Sequence, residues 1–197
     1  MHINMNYFEV KRQILHILIG IILLFLIIFE IITPLFLFIL LVLSGFLAVL
    51  SLKYEIPVIN FFLKNFERDN PDLPGKAFIM FLAGILLAWK LFPHNIALAS
   101  IIILIFADPV SHFIGESFGK TIFFLDKKKN IEGHLAGVII SSLLAIFFVS
   151  PVLAISGSLA AMLFESIIIE IQKIRLDDNL IIPLVAGTAM LLVNLVL

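Results

Sequence analysis

The sequence predicts an all-α integral membrane protein that forms one domain over residues 1–197. Hydrophobic residues make up 62% of the chain and charged residues only 14%, whereas a soluble domain has about 45–50% and about 25% of each. The mean hydropathy is +1.20. A soluble chain of 197 residues cannot bury so much apolar surface in its core. The predicted class is therefore a polytopic bundle of transmembrane helices.

The composition also excludes several classes of function. The chain has no cysteine, which excludes disulfides, thiolate zinc sites and cysteine nucleophiles. Its formal net charge of −1 provides no basic field that would recruit nucleic acid. The first apolar run, from Ile14 to Phe29, is too long for a signal peptide, and no small-residue cleavage site follows it. We therefore expect this run to be a membrane span.

Seven apolar segments approach or reach the roughly 17–25 residues that a membrane span requires. We predict spans over residues 14–32, 34–52, 77–92, 95–114, 135–150, 152–169 and 180–197. Proline marks three tight connections, at Pro34, Pro93 and Pro151, because it cannot donate to the hydrogen bonds of a continuing helix. The third and fifth segments are short.

The basic residues favour one orientation of these seven spans. If the N-terminus is cytosolic, the inner segments are 1–13, 53–76, 115–134 and 170–179, and they contain every Lys and Arg except Lys90. Such an excess of positive charge is typical of cytosolic loops. We therefore predict a cytosolic N-terminus and an extracytosolic C-terminus.

The polar stretch 55–68 is predicted to form an amphipathic helix at the cytosolic surface of the membrane. Its apolar residues Ile59, Phe62, Leu63 and Phe66 follow the spacing of one helical face. Its charged residues lie on the opposite side, so the segment is too polar to cross the bilayer.

Ionisable residues inside membrane spans are costly and therefore indicate function. Asp108 lies in the fourth predicted span, and Glu165 lies near the inner end of the sixth. Glu9, Arg12 and His16 share one face of the first helix, because they are three and seven residues apart. All five residues are predicted at the cytosolic side, and the other side has no comparable set.

The fourth span is predicted to kink or break at Asp108-Pro109, because proline removes an amide donor and disfavours helical geometry at the residue before it. Ser111 and His112 follow on the same helical face as Asp108. The loop 115–134 then supplies glycines and charged residues: Gly115, Gly119, Lys120, Lys127, Lys128, Lys129, Glu132 and Gly133. We expect Gly115 and Gly119 to permit a tight turn and close approach to a ligand.

Three polar residues, Asp177, Asp178 and Asn179, precede the last span, and Asp177 is expected to be only a solvated neighbour of Asp178. Carboxylates combined with lysines suit Mg²⁺ and a polyphosphate. Phosphoryl transfer needs mainly positioning and charge neutralisation. The run 115–121 is not a P-loop, because it has three residues between its glycines instead of four and follows a membrane helix.

Five motifs in order resemble the CTP-dependent lipid kinase family, which comprises dolichol and polyprenol kinases, phytol kinases and fungal-type diacylglycerol kinases and is related to phosphatidate cytidylyltransferases. The motifs are Glu9-x-Lys11-Arg12-x-x-x-His16-x-x-x-Gly20, Pro74-Gly75-Lys76-Ala77, Asp108-x-x-Ser111-x-x-x-Gly115-x-x-Phe118-Gly119-Lys120, Lys129-Asn130-Ile131-Glu132-Gly133, and Glu165-Ser166 with Asp178-Asn179-Leu180-x-x-Pro183. The chain departs from the family pattern at Ala107, Ser111, Asn130 and His134. Asn130 replaces a hydroxyl residue that would contact phosphate.

The resemblance implies transfer of the γ-phosphoryl group of CTP to a membrane lipid alcohol, with Mg²⁺ as cofactor. The implied catalytic residues are Asp108, Lys129, Glu132 and His16, and the implied metal ligands are Asp108, Glu132 and Asp178. The implied nucleotide-binding or phosphate-binding residues are Gly115, Gly119, Lys120, Gly133, Asp178, Asn179 and Arg12. The implied supporting or lipid-entry residues are Glu9, Ser111, His112 and Glu165.

The sequence leaves open which lipid alcohol is used; polyprenol or dolichol is the first choice, before geranylgeraniol, phytol and diacylglycerol. It also leaves open the oligomeric state, and whether Asp108 is a metal ligand or a base. One alternative function is a cytidylyltransferase that forms a CDP-lipid, although such enzymes are usually longer and end in a Lys-Asp motif. A transporter is a further alternative, but the ionisable residues cluster on one face and form no path across the bilayer.

Overall fold

The computed structural model describes residues 7–67, 73–123, 129–166, 170–171, 174–175 and 177–197. Its helices are α1 (Tyr7–Ile28), α2 (Pro34–Ser51), α3 (Pro57–Phe66), α4 (Lys76–Leu91), α5 (His94–Phe118), α6 (Ile131–Ala145), α7 (Pro151–Glu165) and α8 (Asp178–Val196). Two very short antiparallel strands, β1 (Glu170–Ile171) and β2 (Ile174–Arg175), lie between α7 and α8. The predicted all-α class is confirmed.

Four helices, α1, α2, α5 and α8, are long and apolar enough to cross a membrane. The chain is therefore a membrane protein, as its composition predicts. The other three predicted spans correspond to α4, α6 and α7, which are apolar but have only 16, 15 and 15 residues. The count of seven spans stays a prediction.

Three helices begin where proline predicts a boundary. Pro34 and Pro151 are the first residues of α2 and α7, and Pro93 immediately precedes α5. Proline suits this place because its fixed φ is helical and its missing amide is not needed in the first turn. Thr33 completes the start of α2, since its hydroxyl accepts a hydrogen bond of 3.3 Å from the amide of Phe36.

The central helix of the bundle is α5. In its most apolar stretch 72% of the residues are buried, compared with 28%, 11% and 28% in α1, α2 and α8. Every residue from Ile96 to Ile105 is buried, as expected of a helix that is apolar on all sides. Asp108 follows this buried run, in a helix around which α1, α6 and α8 pack.

The chain does not break at Asp108-Pro109, and the predicted kink there stays a prediction. Helix α5 continues through Pro109 to Phe118, and Pro109 is buried, because neighbouring helices can support a helix across a missing amide donor. Gly115 therefore lies in the last turns of a helix and not in a turn of the chain. Similarly, Glu132 lies in the first turn of α6, although the sequence places it in a loop.

The apolar face predicted for the segment 55–68 is present on α3. The helix covers Pro57–Phe66, with no fully buried residue, and it packs on α1. The last residue of the predicted segment, Arg68, lies outside the described residues.

Two helix pairs approach each other closely at glycine. A Cβ atom added at Gly84 of α4 would lie 2.2 Å from the carbonyl oxygen of Asn179 in α8, and one added at Gly133 of α6 would lie 2.4 Å from the carbonyl oxygen of Ser111 in α5. Both distances are well below van der Waals contact, so only glycine fits without movement of the backbone. Close helix contacts through small residues are common in membrane proteins.

Substitution of Gly84 by alanine is expected to lower the free energy of unfolding by about 1–3 kcal/mol, because the new methyl group forces α4 and α8 apart. The matched control is Gly45→Ala in α2, where an added Cβ has no atom within 4 Å. The control should be neutral or slightly stabilising, because alanine favours the helix over glycine. Thermal unfolding in detergent tests both variants, and an equally stable Gly84→Ala protein would contradict the packing.

Candidate functional site

Ionisable and polar side chains from four parts of the chain converge inside the bundle. We call this group the polar cluster, and it consists of Glu9, Arg12, Gln13 and His16 of α1, Asp108 and His112 of α5, Lys129 before α6, and Glu165 at the end of α7. Glu9, Gln13 and Glu165 are buried, with 5%, 2% and 4% of their surface exposed. Burial of charged groups in a membrane protein is costly and indicates a functional site.

Glu9 contacts two other members of the cluster on α1. It forms an ion pair with the guanidinium of Arg12, whose Nε lies 3.1 Å from Glu9 Oε1. The amide nitrogen of Gln13 donates to the same oxygen at 3.3 Å. The face that the spacing of Glu9 and Arg12 predicts on α1 is therefore present, and it points toward α5.

Asp108 is half-buried and lies next to this face. Its Oδ2 accepts a hydrogen bond of 3.4 Å from Nε2 of Gln13. Lys129, Arg12 and His16 are all close enough to act on its carboxylate electrostatically. Asp108 thus lies among groups that favour negative charge, as an intramembrane carboxylate requires.

Lys129 and Glu165 form an ion pair that connects the start of α6 to the end of α7. The lysine Nζ donates to Glu165 Oε1 and also to the backbone oxygen of Glu165, at 3.2 Å. The second carboxylate oxygen, Oε2, is buried and has no hydrogen-bond partner among the described residues. A buried polar atom without a partner is uncommon and requires an explanation, such as a bound molecule.

The two histidines of the cluster have different surroundings. Nε2 of His16 lies 3.2 Å from the carbonyl oxygen of Leu104, and its ring packs against Phe81 with centroids 4.5 Å apart. Nε2 of His112 lies 3.4 Å from Glu116 Oε1 and 3.8 Å from Glu9 Oε1, without hydrogen-bond geometry to either. His16 of α1 is therefore held by contacts with α5 and α4, whereas His112 lies between two carboxylates.

The segment between α5 and α6 holds Glu132 apart from this cluster. Both oxygens of Glu132 accept from the amide of Thr121, at 3.1 and 3.2 Å, and Oε1 also accepts from the Thr121 hydroxyl at 2.9 Å. Lys120 is exposed beside this contact, and the basic run of Lys127 and Lys128 lies outside the described residues. Glu132 therefore orders the segment that carries Lys120.

The predicted phosphate-binding glycines lie in tight backbone contacts. A Cβ at Gly119 would lie 2.3 Å from both Asn130 Nδ2 and the carbonyl oxygen of Gly115, and Gly133 faces Gly115 across α5 and α6. The Asn130 amide donates to the Gly115 carbonyl oxygen at 3.0 Å and so closes the end of α5. Packing accounts for Gly119 and Gly133, whereas a Cβ at Gly115 would have no atom closer than 3.7 Å. The role of all three glycines in phosphate binding stays a prediction. Ser111 is buried against α6 at the same contact.

The start of α8 has a structural role that the sequence does not predict. Asp177 is the N-cap of α8, since its side chain accepts from the amide of Asn179 at 3.0 Å. Burial raises the pKa of Asp177 above its ordinary value. The description of Asp177 as a merely solvated neighbour of Asp178 is therefore wrong.

The two predicted nucleotide-binding residues of α8 have separate contacts. The Asn179 side chain donates to the carbonyl oxygen of Ala77 at 3.3 Å, and the charge of Asp178 acts on Glu165.

Two contacts near the cluster are absent from the sequence prediction. Gln13 links Glu9 to Asp108, and its position four residues after Glu9 is the signal that places it on the same helical face. His134 binds Ser166 through Nε2 and stacks on Phe123 with ring centroids 4.2 Å apart. His134 is thus a buried link between α6 and the end of α7.

The predicted metal ligands Asp108, Glu132 and Asp178 are not assembled into a common site. Among the described residues no three His, Asp or Glu side chains form a group that could hold a metal ion. The charges of Asp108 and Asp178 both act on Glu165. Mg²⁺ in nucleotide sites often uses only one or two protein carboxylates, with phosphates and water completing its shell. A single carboxylate, or two, from this group of residues fits that manner of Mg²⁺ binding.

An apolar cavity of about 400 Å³ lies beside the polar cluster. Helices α1, α2, α3 and α4 form its wall, and α3 contributes the four residues of its predicted apolar face, Ile59, Phe62, Leu63 and Phe66. The polar residues at its wall are Arg12, His16, Ser44, Glu67 and Asn179. Arg12 and His16 therefore belong both to the cavity and to the surroundings of Asp108.

Comparison with known proteins shows one clear relative. The chain is 30% identical over 191 residues to the uncharacterized protein MJ1137 of Methanocaldococcus jannaschii, and the match covers 91% of each chain. No family model matches the chain, and no solved structure matches it.

Proposed function

The chain belongs to the same family as the Methanocaldococcus jannaschii protein MJ1137, and we propose that it is a CTP-dependent kinase of membrane lipid alcohols. The first choice of substrate is an isoprenoid alcohol such as polyprenol or dolichol. One observation carries the proposal: Arg12 and His16 line an apolar cavity and also act on Asp108. A lipid alcohol needs such an arrangement, because its tail is apolar and its hydroxyl group must meet charged reactants.

The cavity has a size and composition that suit part of a lipid tail. Its volume of about 400 Å³ lies within the roughly 300–1,000 Å³ of small-molecule sites. The apolar face of α3 forms one side, so a lipid would lie between this helix and the transmembrane helices. The hydroxyl group would then lie at Arg12 and His16, next to Asp108.

In the proposed reaction the hydroxyl oxygen of the lipid attacks the γ-phosphorus of CTP. A new P–O bond forms, the bond from the γ-phosphorus to the β–γ bridging oxygen breaks, and CDP leaves. Asp108 either accepts the hydroxyl proton or would bind Mg²⁺, in which case the proton would pass to a phosphate oxygen or to water. Arg12, Lys120 and Lys129 would neutralise phosphate charge, which is a main requirement of phosphoryl transfer.

The proposal includes a topology with seven spans, a cytosolic N-terminus and a site at the cytosolic face. The support is the distribution of Lys and Arg: if the N-terminus is cytosolic, the inner segments contain all of them except Lys90. The apolar helices α4, α6 and α7 pack with the four longer ones and would complete the seven spans.

A product assay with purified protein in detergent tests the function. The mixture contains Mg²⁺, γ-labelled CTP or ATP, and polyprenol, geranylgeraniol or diacylglycerol. Label is expected to move from CTP to an isoprenoid alcohol with release of CDP. Pyrophosphate release with a phosphatidic-acid-type lipid would instead indicate the cytidylyltransferase, and uptake of labelled substrate by liposomes that contain the protein would indicate a transporter.

Substitution of Ala48 by phenylalanine tests the cavity as the lipid site. Ala48 is 5% exposed and lines the cavity from α2, so the larger side chain would occupy part of the tail volume. We expect KM for the lipid alcohol to rise about 10-fold or more, since a blocked site loses several buried methylene contacts at about 0.8 kcal/mol each. KM for CTP should stay within about twofold, because a tail-site change leaves the nucleotide contacts intact.

The control for this variant is Val49→Phe, which adds the same side chain at a neighbouring position that is 58% exposed. Both KM values should be unchanged in the control. An equal rise of KM for the lipid in both variants would contradict the assignment of the cavity.

A further inference from the structure

We propose that Gln13 is a positioning residue, which holds the Asp108 carboxylate in the orientation needed for phosphoryl transfer. The inference rests on the proposed function, and it assigns a role to a residue at an unspecified position of the first motif described above. It would act through Asp108 and not through contact with the substrate.

The Gln13 side chain forms a bridge between two carboxylates on different helices. Its amide nitrogen donates to Glu9 Oε1 at 3.3 Å and to Asp108 Oδ2 at 3.4 Å. The residue is 2% exposed, so water does not compete for these hydrogen bonds. A glutamine amide has two N–H donors, and here each donor serves one carboxylate.

This contact restrains how Asp108 can rotate. Oδ2 of Asp108 is held by Gln13 from α1, and Oδ1 has no hydrogen-bond partner among the described residues. The free oxygen is the one available to a hydroxyl group or to Mg²⁺. Glu9 is in turn held by Arg12, so the orienting group is itself fixed at its other end.

A neutral amide is well suited to this place. A carboxylate there would repel both Glu9 and Asp108, and an apolar side chain would leave both acceptors without this donor. A buried hydrogen-bonded group that orients a reactive carboxylate affects catalysis by geometry, and small misplacements of reacting groups can reduce rates about a hundredfold.

The test uses a substitution that removes the donors and keeps the size. Gln13→Met is nearly isosteric and has no hydrogen-bond donor. We expect kcat with CTP and the best alcohol of the panel to fall about 10- to 100-fold, while both KM values stay within about twofold. Gln13→Lys, which retains donors for both carboxylates, should keep at least about one third of kcat. Ile14→Met, at an exposed neighbouring position of α1, controls for methionine itself and should be unchanged.

Retention of kcat within twofold by Gln13→Met would overturn the inference, as would equal losses in Gln13→Met and Gln13→Lys. The Asp108→Asn background provides the direct test of action through Asp108. Gln13→Met should cause no further loss of kcat there, because the group that it positions is already absent. A full additional loss would show that Gln13 acts by another route.

A thermal unfolding cycle separates failure of this inference from failure of the proposed function. An inactive wild-type protein would refute the function but not the contact. The lowering of Tm in the Gln13→Met, Asp108→Ala double variant should be smaller than the sum of the two single effects, because each substitution removes one partner of the same hydrogen bond. Additive changes in Tm would overturn the inference whether or not the protein has activity.

Discussion

Substitution of Asp108 by asparagine is expected to lower kcat for phosphoryl transfer about 10²- to 10⁴-fold, which is the range for loss of a general base. Asparagine has nearly the same shape as aspartate, but it carries no charge, accepts no proton at neutral pH and binds Mg²⁺ more weakly. The packing of α5 should therefore be preserved while the reactive group is lost. Initial rates of CDP formation with CTP and polyprenol measure the effect.

A control variant and a stability measurement test whether the loss of activity is specific to the Asp108 carboxylate. Glu55→Gln removes a carboxylate at an exposed position outside the cluster and should keep full activity. The Tm of Asp108→Asn should stay close to that of the wild type or rise, because a half-buried charge that requires compensation has been removed. Activity of Asp108→Asn within a few-fold of the wild type would refute the assigned role of Asp108.

Substitution of Lys129 by methionine is expected to lower the free energy of unfolding by about 3 kcal/mol, because it leaves the Glu165 carboxylate buried without its partner. Lys129 and Glu165 form an ion pair, and the Glu165 side chain is only 1% exposed. This expected loss is at the lower end of the range for breaking a buried ion pair, because the lysine side chain itself is 24% exposed. Unfolding of the detergent-solubilised protein, followed by circular dichroism, measures the loss.

The double variant Lys129→Met, Glu165→Gln distinguishes the structural role of Lys129 from its proposed role at phosphate. Removal of both charges should recover most of the lost stability. If Lys129 also binds phosphate, kcat and KM for CTP should remain impaired in the double variant. Recovery of both stability and activity would restrict Lys129 to a structural role. Lys53→Met, at an exposed lysine, is the control and should change neither property.

The arrangement of Lys129 and Glu165 has a consequence for the proposed reaction. The lysine Nζ is already occupied by Glu165 and its backbone oxygen, so a phosphate group would compete with the carboxylate for it. Oε2 of Glu165 has no hydrogen-bond partner in the part of the chain that the structure describes, and the charges of Asp108 and Asp178 act on this carboxyl group. Mg²⁺ bound with the nucleotide would reduce the repulsion among these carboxylates.

Much of the fold follows from local sequence patterns. The prolines at positions 34, 93 and 151 mark helix starts because proline acts on its own residue and the preceding turn. The apolar face of α3 follows from residue spacing alone. The behaviour of Pro109 was not predictable in the same way, because surrounding helices hold α5 together across the missing hydrogen bond.

The candidate site was predictable to a lesser extent. Glu9, Arg12, His16, Asp108 and Glu165 could be selected because charge inside an apolar segment is costly. Their partners could not, since Asp108 meets a residue 95 positions away in the chain. The contacts of Glu132 with Thr121 and of Asp177 with Asn179 also depend on how the ends of α5 and α8 are built.

The sequence by itself determined the membrane class, the helix starts and the set of buried charges, because hydropathy, proline and charge act through the solvent and the nearest residues. Only the tertiary structure decided that α1 and α5 join their polar faces through Gln13, that Lys129 pairs with Glu165, and that α3 closes an apolar cavity beside Arg12 and His16. These contacts depend on the positions and rotations of whole helices, which are set by packing between segments far apart in the chain.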